Sequence, residues 1–248
     1  MSGRVEAMVI GVQKAGTSAL FDYLGEAPDI ALSEVKETHF FDDEGLDWAA
    51  PDYGLYHRRF PAADGRLRLE ATPIYVYWPN CLERIRAYNP AARLILMLRD
   101  PVARAWSHWR MEYARGAETK PFAWCIREGR QRMFTAEPWG HHREFSYVER
   151  GFYGEQVERL FSLFPRDQIL VLRAEDLETA PAEVLARARA FLGLAPHEGA
   201  VTPRRVHVGR EMDYGSSLTG EDAAFLRGVY AADQARLEAL TGVTFDLP

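Results

Sequence analysis

Two cysteines, three lysines and no long apolar run mark what this 248-residue chain does without. Cys81 and Cys125 stand far apart with no C-x-x-C spacing, which excludes a disulfide framework and a thiolate zinc site and reads as two reduced thiols in a reducing compartment. No apolar run approaches the roughly 18 residues a membrane-spanning helix needs. No apolar leader precedes the first strand pattern, so a cytoplasmic chain that engages no membrane is expected. His141 and His142 are adjacent and no pair of histidines has i, i+4 spacing on a helical pattern, so no metal site is expected. A Gly-x-Ser-x-Gly nucleophile elbow is missing too. With a net charge of −6 the chain has no broad basic surface for nucleic acid, and any anion site must be a local pocket. Among 30 basic residues only Lys14, Lys36 and Lys120 are lysines. Two of the three stand in segments that carry chemistry below; a general preference for arginine is the other reading.

What is present is a core. Hydrophobic residues make up 47% of the chain, enough for one large α/β domain spanning residues 1–248. Short apolar runs at 7–12, 67–71, 94–98 and 169–172 read as strands, and helical patterns fall near 17–27, 78–88, 101–115, 154–164, 181–192 and 220–240. Leu94-Ile95-Leu96-Met97-Leu98 is continuously apolar, as a parallel strand covered on both faces should be. The alternation predicts a central parallel sheet flanked by helices, with ligands beyond the carboxyl ends of the strands.

The first such end carries Gly11-Val12-Gln13-Lys14-Ala15-Gly16-Thr17-Ser18, running straight into the helical pattern of Leu20, Phe21 and Leu24. Backbone N–H groups at a helix N-terminus are unpaired donors at the positive end of the dipole, and Lys14 adds a full charge; this is an anion-binding loop. It is not a Walker A loop, which places its lysine after the second glycine, whereas Lys14 precedes Gly16.

A second strand end leads into Arg99-Asp100-Pro101-Val102-Ala103-Arg104-Ala105-Trp106-Ser107. Pro101 suits a first helical turn and Asp100 suits a cap. A guanidinium with a hydroxyl two turns away can receive a phosphate monoester; a pairing of Arg99 with Asp100 is the alternative. Both strand ends are expected to face one crevice. The third segment, Lys36-Glu37-Thr38-His39-Phe40-Phe41-Asp42, sets a carboxylate beside a lysine, a histidine and two rings. Partial burial would raise the carboxyl pKa while Lys36 and His39 would counter it, which makes Glu37 a candidate general base; a solvated surface turn is the alternative. Trp106, Trp109 and Tyr113 fall at helical spacing and read as core.

These three stretches together resemble the sulfotransferases that use 3′-phosphoadenosine 5′-phosphosulfate (PAPS), in particular the heparan-sulfate-type branch and its bacterial relatives. Gln13 to Ser18 is similar to the family's 5′-phosphosulfate loop, Arg99 to Ser107 to its 3′-phosphate motif, and Lys36 to Asp42 to its catalytic segment. Gly151-Phe152-Tyr153-Gly154, Phe164-Pro165 and Glu175-Asp176-Leu177 resemble later family features. The resemblance implies a P-loop-like three-layer fold and transfer of a sulfuryl group to a hydroxyl or amine of a small-molecule or glycan acceptor. It implies PAPS as co-substrate, PAP (adenosine 3′,5′-bisphosphate) as product, and no metal. Glu37, Lys14 and His39 would be catalytic. Lys14, Ala15, Gly16, Thr17, Ser18, Arg99, Ser107 and Arg210 would bind the nucleotide, Arg210 from a basic loop that closes over it. Ala71 stands where heparan-type members carry a lysine, and Gln13 and Ser18 where they carry basic residues, which argues against heparan as acceptor. The rivals are a kinase-like phosphotransferase and a non-catalytic nucleotide-binding protein. Oligomeric state is not legible in the sequence.

Overall fold

The computed structural model describes residues 3–62, 64–137, 140–196, 201 and 212–245. Its strands are β1 (Ala7–Gly11), β2 (Ile30–Leu32), β3 (Leu67–Ala71), β4 (Arg93–Leu98) and β5 (Ile169–Arg173). Its α-helices are α1 (Thr17–Gly25), α2 (Tyr53–His57), α3 (Cys81–Tyr88), α4 (Pro101–Arg115), α5 (Phe122–Cys125), α6 (Tyr153–Leu163), α7 (Ala174–Thr179), α8 (Pro181–Leu192) and α9 (Gly220–Thr241). The chain folds as two compact units, Met1–Leu98 with Leu160–His207, and Arg99–Arg159 with Val208–Pro248.

The first unit holds the sheet. All pairings are parallel and the order is β2-β3-β1-β4-β5. The expected parallel sheet flanked by helices is therefore the architecture found. β1 is central and every residue of it is buried, which is why Ala7-Met8-Val9-Ile10 carries no polar side chain. Its register runs Val9 opposite Ala71 on one side and Ile95 on the other. Towards its end the pairing slips, so that Gly11 comes opposite Leu96. A Cβ on Gly11 would lie 2.4 Å from Val76 Cγ1 and 3.3 Å from Leu96 Cδ1, so only glycine fits there. From β1 the chain turns towards β2 and β3; from β4 it proceeds towards β5. This reversal between β1 and β4 is the topological switch point at which such sheets bind ligands.

Most predicted elements are found within a residue or two. The helix expected from residue 78 begins instead at Cys81, because residues 74–79 form turns and Asn80 stands at φ 62. The edge strand β2 and the short helices α2, α5 and α7 were not predicted.

The second unit packs α4 and α9 around Val102, Ala105, Trp109, Phe122, Tyr147, Leu226 and Tyr230, all buried. Of the three aromatics expected in its core, Trp109 is fully buried while Trp106 and Tyr113 pack against it partly exposed. Asp100 Oδ1 accepts from Ala103 N at 2.6 Å, capping α4 ahead of Pro101 as expected. The glycines of Gly151-Phe152-Tyr153-Gly154 permit close approach of α9. A Cβ on Gly151 would lie 2.5 Å from the Tyr230 ring, and one on Gly154 2.5 Å from the Asp233 carbonyl oxygen. Asp233 in turn accepts from Gly154 N at 2.8 Å and Glu155 N at 3.0 Å, so a side chain of α9 caps α6.

Among the described residues no helix is long and apolar enough to cross a membrane. No group of three or more His, Cys, Asp or Glu among them is placed to hold a metal ion.

Candidate active site

The anion loop is built at the carboxyl end of β1. Val12 N donates to Met97 O at 2.7 Å, tying the loop's base to β4. Lys14 (φ 74) and Gly16 (φ 78) both take left-handed backbone, which turns the chain into α1. The first helical bond is Leu20 N to Gly16 O at 3.1 Å, so the N–H groups of Thr17, Ser18 and Ala19 have no carbonyl partner inside the helix. The first turn of α1 has no acidic residue and no side-chain cap. Ala15 and Thr17 are buried, Lys14 and Ser18 half-buried, and Gly16 exposed. A Cβ on Gly16 would stand 3.6 Å from Leu177 of α7. Leu177 therefore stands beside the loop. A full positive charge beside N–H groups at a helix start, with no carboxylate in that turn, fits a phosphate or sulfate group.

The segment of residues 36–42 crosses the end of β3, the neighbour of β1. Glu37 N donates to Ala71 O at 3.0 Å, so Glu37 and the anion loop occupy the carboxyl ends of adjacent strands. Glu37 (φ 64) and His39 (φ 51) are also left-handed. Among the described residues only four non-glycine positions adopt this conformation: Lys14, Glu37, His39 and Asn80. Three of them are the residues expected to be catalytic, and such backbone persists where the surroundings over-determine it, characteristically at active sites.

Glu37 is paired on both oxygens. Lys36 Nζ lies 2.5 Å from Oε1 and His39 Nε2 3.6 Å from Oε2. His39 Nδ1 faces the buried Asp42 at 3.0 and 3.2 Å. Burial pushes the Glu37 carboxyl up, but its pairing with His39 and the charge and hydrogen bond of Lys36 outweigh it and hold the pKa at about 2. The Asp42 and Glu37 carboxylates, in that order, raise His39 to about 9 against the opposing pull of burial. At neutral pH this is an ionised carboxylate between an ammonium and an imidazolium.

That arrangement makes a prediction. Folded His39 holds its proton up to about pH 9 against an ordinary value of 6.5, so its stabilisation is complete below pH 6.5 and is lost as pH rises through 9. The melting temperature of the parent should fall over that window relative to His39→Asn, whose side chain tolerates left-handed backbone. The effect should be on the order of 1 kcal/mol, because solvent screens a half-exposed ring. Parallel melting curves from pH 6 to 9.5 would contradict the pairing.

Arg99 and Ser107 belong to the second unit. The Arg99 carbonyl accepts from Tyr153 OH at 2.9 Å, so the first helix-capped turn of α6 fixes the backbone that presents the guanidinium. Both Arg99 and Ser107 are half-buried. On the same helix Arg104 and His108 are fully buried; Arg104 Nη2 donates to the Tyr147 carbonyl, and His108 packs edge-on to the Tyr147 ring. Arg210 and the basic loop from Arg204 lie outside the described residues.

Of the aromatics near these segments, Tyr56, Tyr75 and Trp78 are buried. Trp48 is half-buried and stacks on Arg84, whose Cζ lies 4.2 Å from its ring centre. Trp139 lies outside the described residues. Sequence reasoning missed Glu70, which is wholly buried in β3. Its signal was a charged residue inside a strand with sheet neighbours on both sides, where a carboxylate must find partners.

Residues 5–209 match the model of the sulfotransferase domain family. The human heparan sulfate glucosamine 3-O-sulfotransferase 3B1 is 32% identical over 193 residues, covering 76% of this chain and 46% of the relative. The mouse heparan sulfate glucosamine 3-O-sulfotransferase 6 is 33% identical over 194 residues, with 76% and 52% covered. The chain thus spans about half the length of these curated relatives. Among solved structures, a sulfotransferase from Alicyclobacillus acidocaldarius superimposes with a TM-score of 0.80 at 27% identity, covering 98% of this chain and 97% of that one.

Proposed function

This chain belongs to the sulfotransferase domain family, and from that premise we propose that it moves a sulfuryl group from PAPS to a hydroxyl or amine of a small-molecule or glycan acceptor. The observation that carries the reading is the placement of the anion loop and Glu37 at the carboxyl ends of adjacent strands, with Lys14, Glu37 and His39 all held in left-handed backbone.

In the proposed reaction the acceptor oxygen attacks sulfur in line. Its bond to sulfur forms as the bridging S–O bond to the 5′-phosphate breaks, and the bridging oxygen leaves with the electron pair as part of PAP. The acceptor proton passes to Glu37, which is ionised and gives up part of its pairing with Lys36 and His39 to receive it. Lys14 and the N–H groups of Gly16, Thr17 and Ser18 neutralise the charge growing on the leaving phosphate. His39, braced by Asp42, orients Glu37. Phosphate is already a good leaving group, so positioning and charge suffice without a metal ion. Arg99 and Ser107 take the 3′-phosphate, and Arg210 is proposed as a further contact to the nucleotide. Ala71 is buried and uncharged, and Gln13 and Ser18 add no positive charge; this favours an acceptor smaller or less anionic than the heparan sulfate named for the relatives. Cys81 and Cys125 are buried thiols outside any disulfide, which suits a cytoplasmic setting.

Mass detection of a sulfated product from PAPS with EDTA present tests the reading directly; Mg²⁺-dependent turnover of ATP instead would replace it with a kinase-like one. Arg99→Ala should weaken PAPS binding roughly 10- to 100-fold, since a charge-assisted hydrogen bond is worth about 1.5–3 kcal/mol. Adenosine 5′-phosphosulfate, which lacks the 3′-phosphate, should bind the parent and the variant alike. Equal losses for both donors would make Arg99 structural.

A further inference from the structure

Glu70 sits in β3, between β2 and β1, with no solvent exposure. A carboxylate there must be satisfied by its neighbours. Its hydrogen-bond partners are hydroxyls drawn from three separate stretches of chain. Tyr56 of α2 donates to Oε1 at 2.5 Å, and Thr38 and Thr72 both donate to Oε2, at 2.7 and 2.8 Å. The Tyr75 hydroxyl stands 3.1 Å from Thr38 Oγ1 and accepts from Phe40 N at 3.1 Å and Phe41 N at 3.4 Å. The protons can therefore run one way: from the amides of Phe40 and Phe41 to Tyr75, from Tyr75 to Thr38, and from Thr38 to Glu70.

This chain of bonds grips the segment at one residue. Thr38 is buried, and it lies between Glu37 and His39, the two left-handed positions of the segment. Left-handed backbone at non-glycine residues needs an environment that leaves no alternative. The main-chain bond from Glu37 N to Ala71 O ties one side, and the Thr38–Glu70 bond holds the middle. Burial pushes the Glu70 carboxyl up and the hydroxyls around it pull it back; sealed from water, the carboxyl and the Thr38 hydroxyl have only protein partners, so losing this bond leaves a buried polar group unpaired. Glu70 itself is sealed from any substrate.

We propose that Glu70 is a positioning residue: acting through the Thr38 hydroxyl, it fixes the backbone that aims Glu37 and His39. The inference rests on the reading of Glu37 as proton acceptor, and its test reads the geometry separately from the activity.

Two variants break the chain at different points. Glu70→Gln keeps the shape but replaces one acceptor oxygen by a donor, and Thr38→Val removes the hydroxyl at constant volume; Thr38→Ser restores it. The first readout is the NMR titration of His39, whose pKa of about 9 depends on the placement of Asp42 and Glu37 around its ring. Thr38→Val and Glu70→Gln should bring it down towards 6.5, while Thr38→Ser should leave it near the parent value. Hydrogen exchange of the amides of Phe40 and Phe41 should quicken in the same two variants. PAP affinity, read by calorimetry, should stay within about 2-fold of the parent, because the anion loop is untouched. With PAPS and an acceptor that the parent sulfates, kcat should fall about 10- to 100-fold with little change in KM for PAPS, the usual cost of misaligned groups.

An unchanged His39 titration in folded Thr38→Val, or a Thr38→Ser variant as impaired as Thr38→Val, would overturn the positioning role. Should Glu70→Gln fail to fold, Thr38→Val and Thr38→Ser decide the matter alone. A parent protein that binds no PAP and yields no sulfated product would overturn the functional reading instead, and the His39 titration would still judge whether Glu70 sets this geometry.

Discussion

Glu37→Gln is expected to slow sulfuryl transfer about 10²- to 10⁴-fold, the range over which a positioned general base contributes, while leaving PAP affinity close to that of the parent. The carboxamide has the shape of the carboxylate and can occupy the same left-handed position, but it cannot take a proton. In the resting structure Glu37 is tightly paired with Lys36 and His39, which hold its pKa at about 2. A group that acidic is always ionised yet only weakly basic, so the acceptor must displace part of this pairing as it binds. The loss in Glu37→Gln should therefore appear in kcat, with KM for PAPS little changed. Acceptors with acidic hydroxyls, such as nitrophenols, should suffer less than aliphatic alcohols, since they need less help to lose the proton. Near-parent kcat with an aliphatic alcohol would place the base elsewhere. His39 is then a poor substitute at neutral pH, because a pKa of about 9 keeps it protonated.

Lys14→Asn should cost about 10²- to 10³-fold in kcat, comparable to removing one preorganised donor from a site of developing charge. Asparagine is chosen because Lys14 sits at φ 74, where alanine would add backbone strain to the loss of charge. The helix N-terminus and the N–H groups of Thr17 and Ser18 remain, so PAP should still bind, though more weakly. Single-turnover measurement at saturating PAPS separates the two effects. If the rate at saturation is unchanged and only affinity falls, Lys14 holds the ground state and does not stabilise the leaving group.

Much of this was legible in the residues. Gly11, Lys14 and Gly16 advertise a loop at a strand end. The apolar run 94–98 announces a buried parallel strand, and Asp100-Pro101 marks the start of a helix. What was hidden has physical causes. β2 is three residues long and α7 six, too short for a period to show. The competing influences on Glu37 could be named from sequence, but their balance depends on the placement of His39 and Lys36 around its two oxygens, which only three dimensions supply. Glu70 is invisible to motif reading, because its partners Thr38, Tyr56 and Thr72 are scattered along the chain and converge only through the fold. Asp233, which caps α6 from α9, is likewise a long-range partner that no local pattern reveals.

The sheet order also bears on how the protein is made. β1, which launches the anion loop, leaves the ribosome first among the strands, yet its two sheet partners are centred on residues far downstream: Ala7 pairs with Leu69 and with Arg93. At a synthesis rate of about 5–20 residues per second, roughly 4–17 s pass between the emergence of Ala7 and that of Arg93. Until Leu69 emerges neither edge of Ala7-Met8-Val9-Ile10 has its sheet partner, and until Arg93 emerges one edge still lacks it; an uncovered apolar segment of this kind is one that chaperones hold and that aggregates when they do not. Strains limited in chaperone capacity should therefore yield nascent-chain aggregates that carry the N-terminal segment, and slowing translation between β3 and β4 should worsen the yield of folded protein.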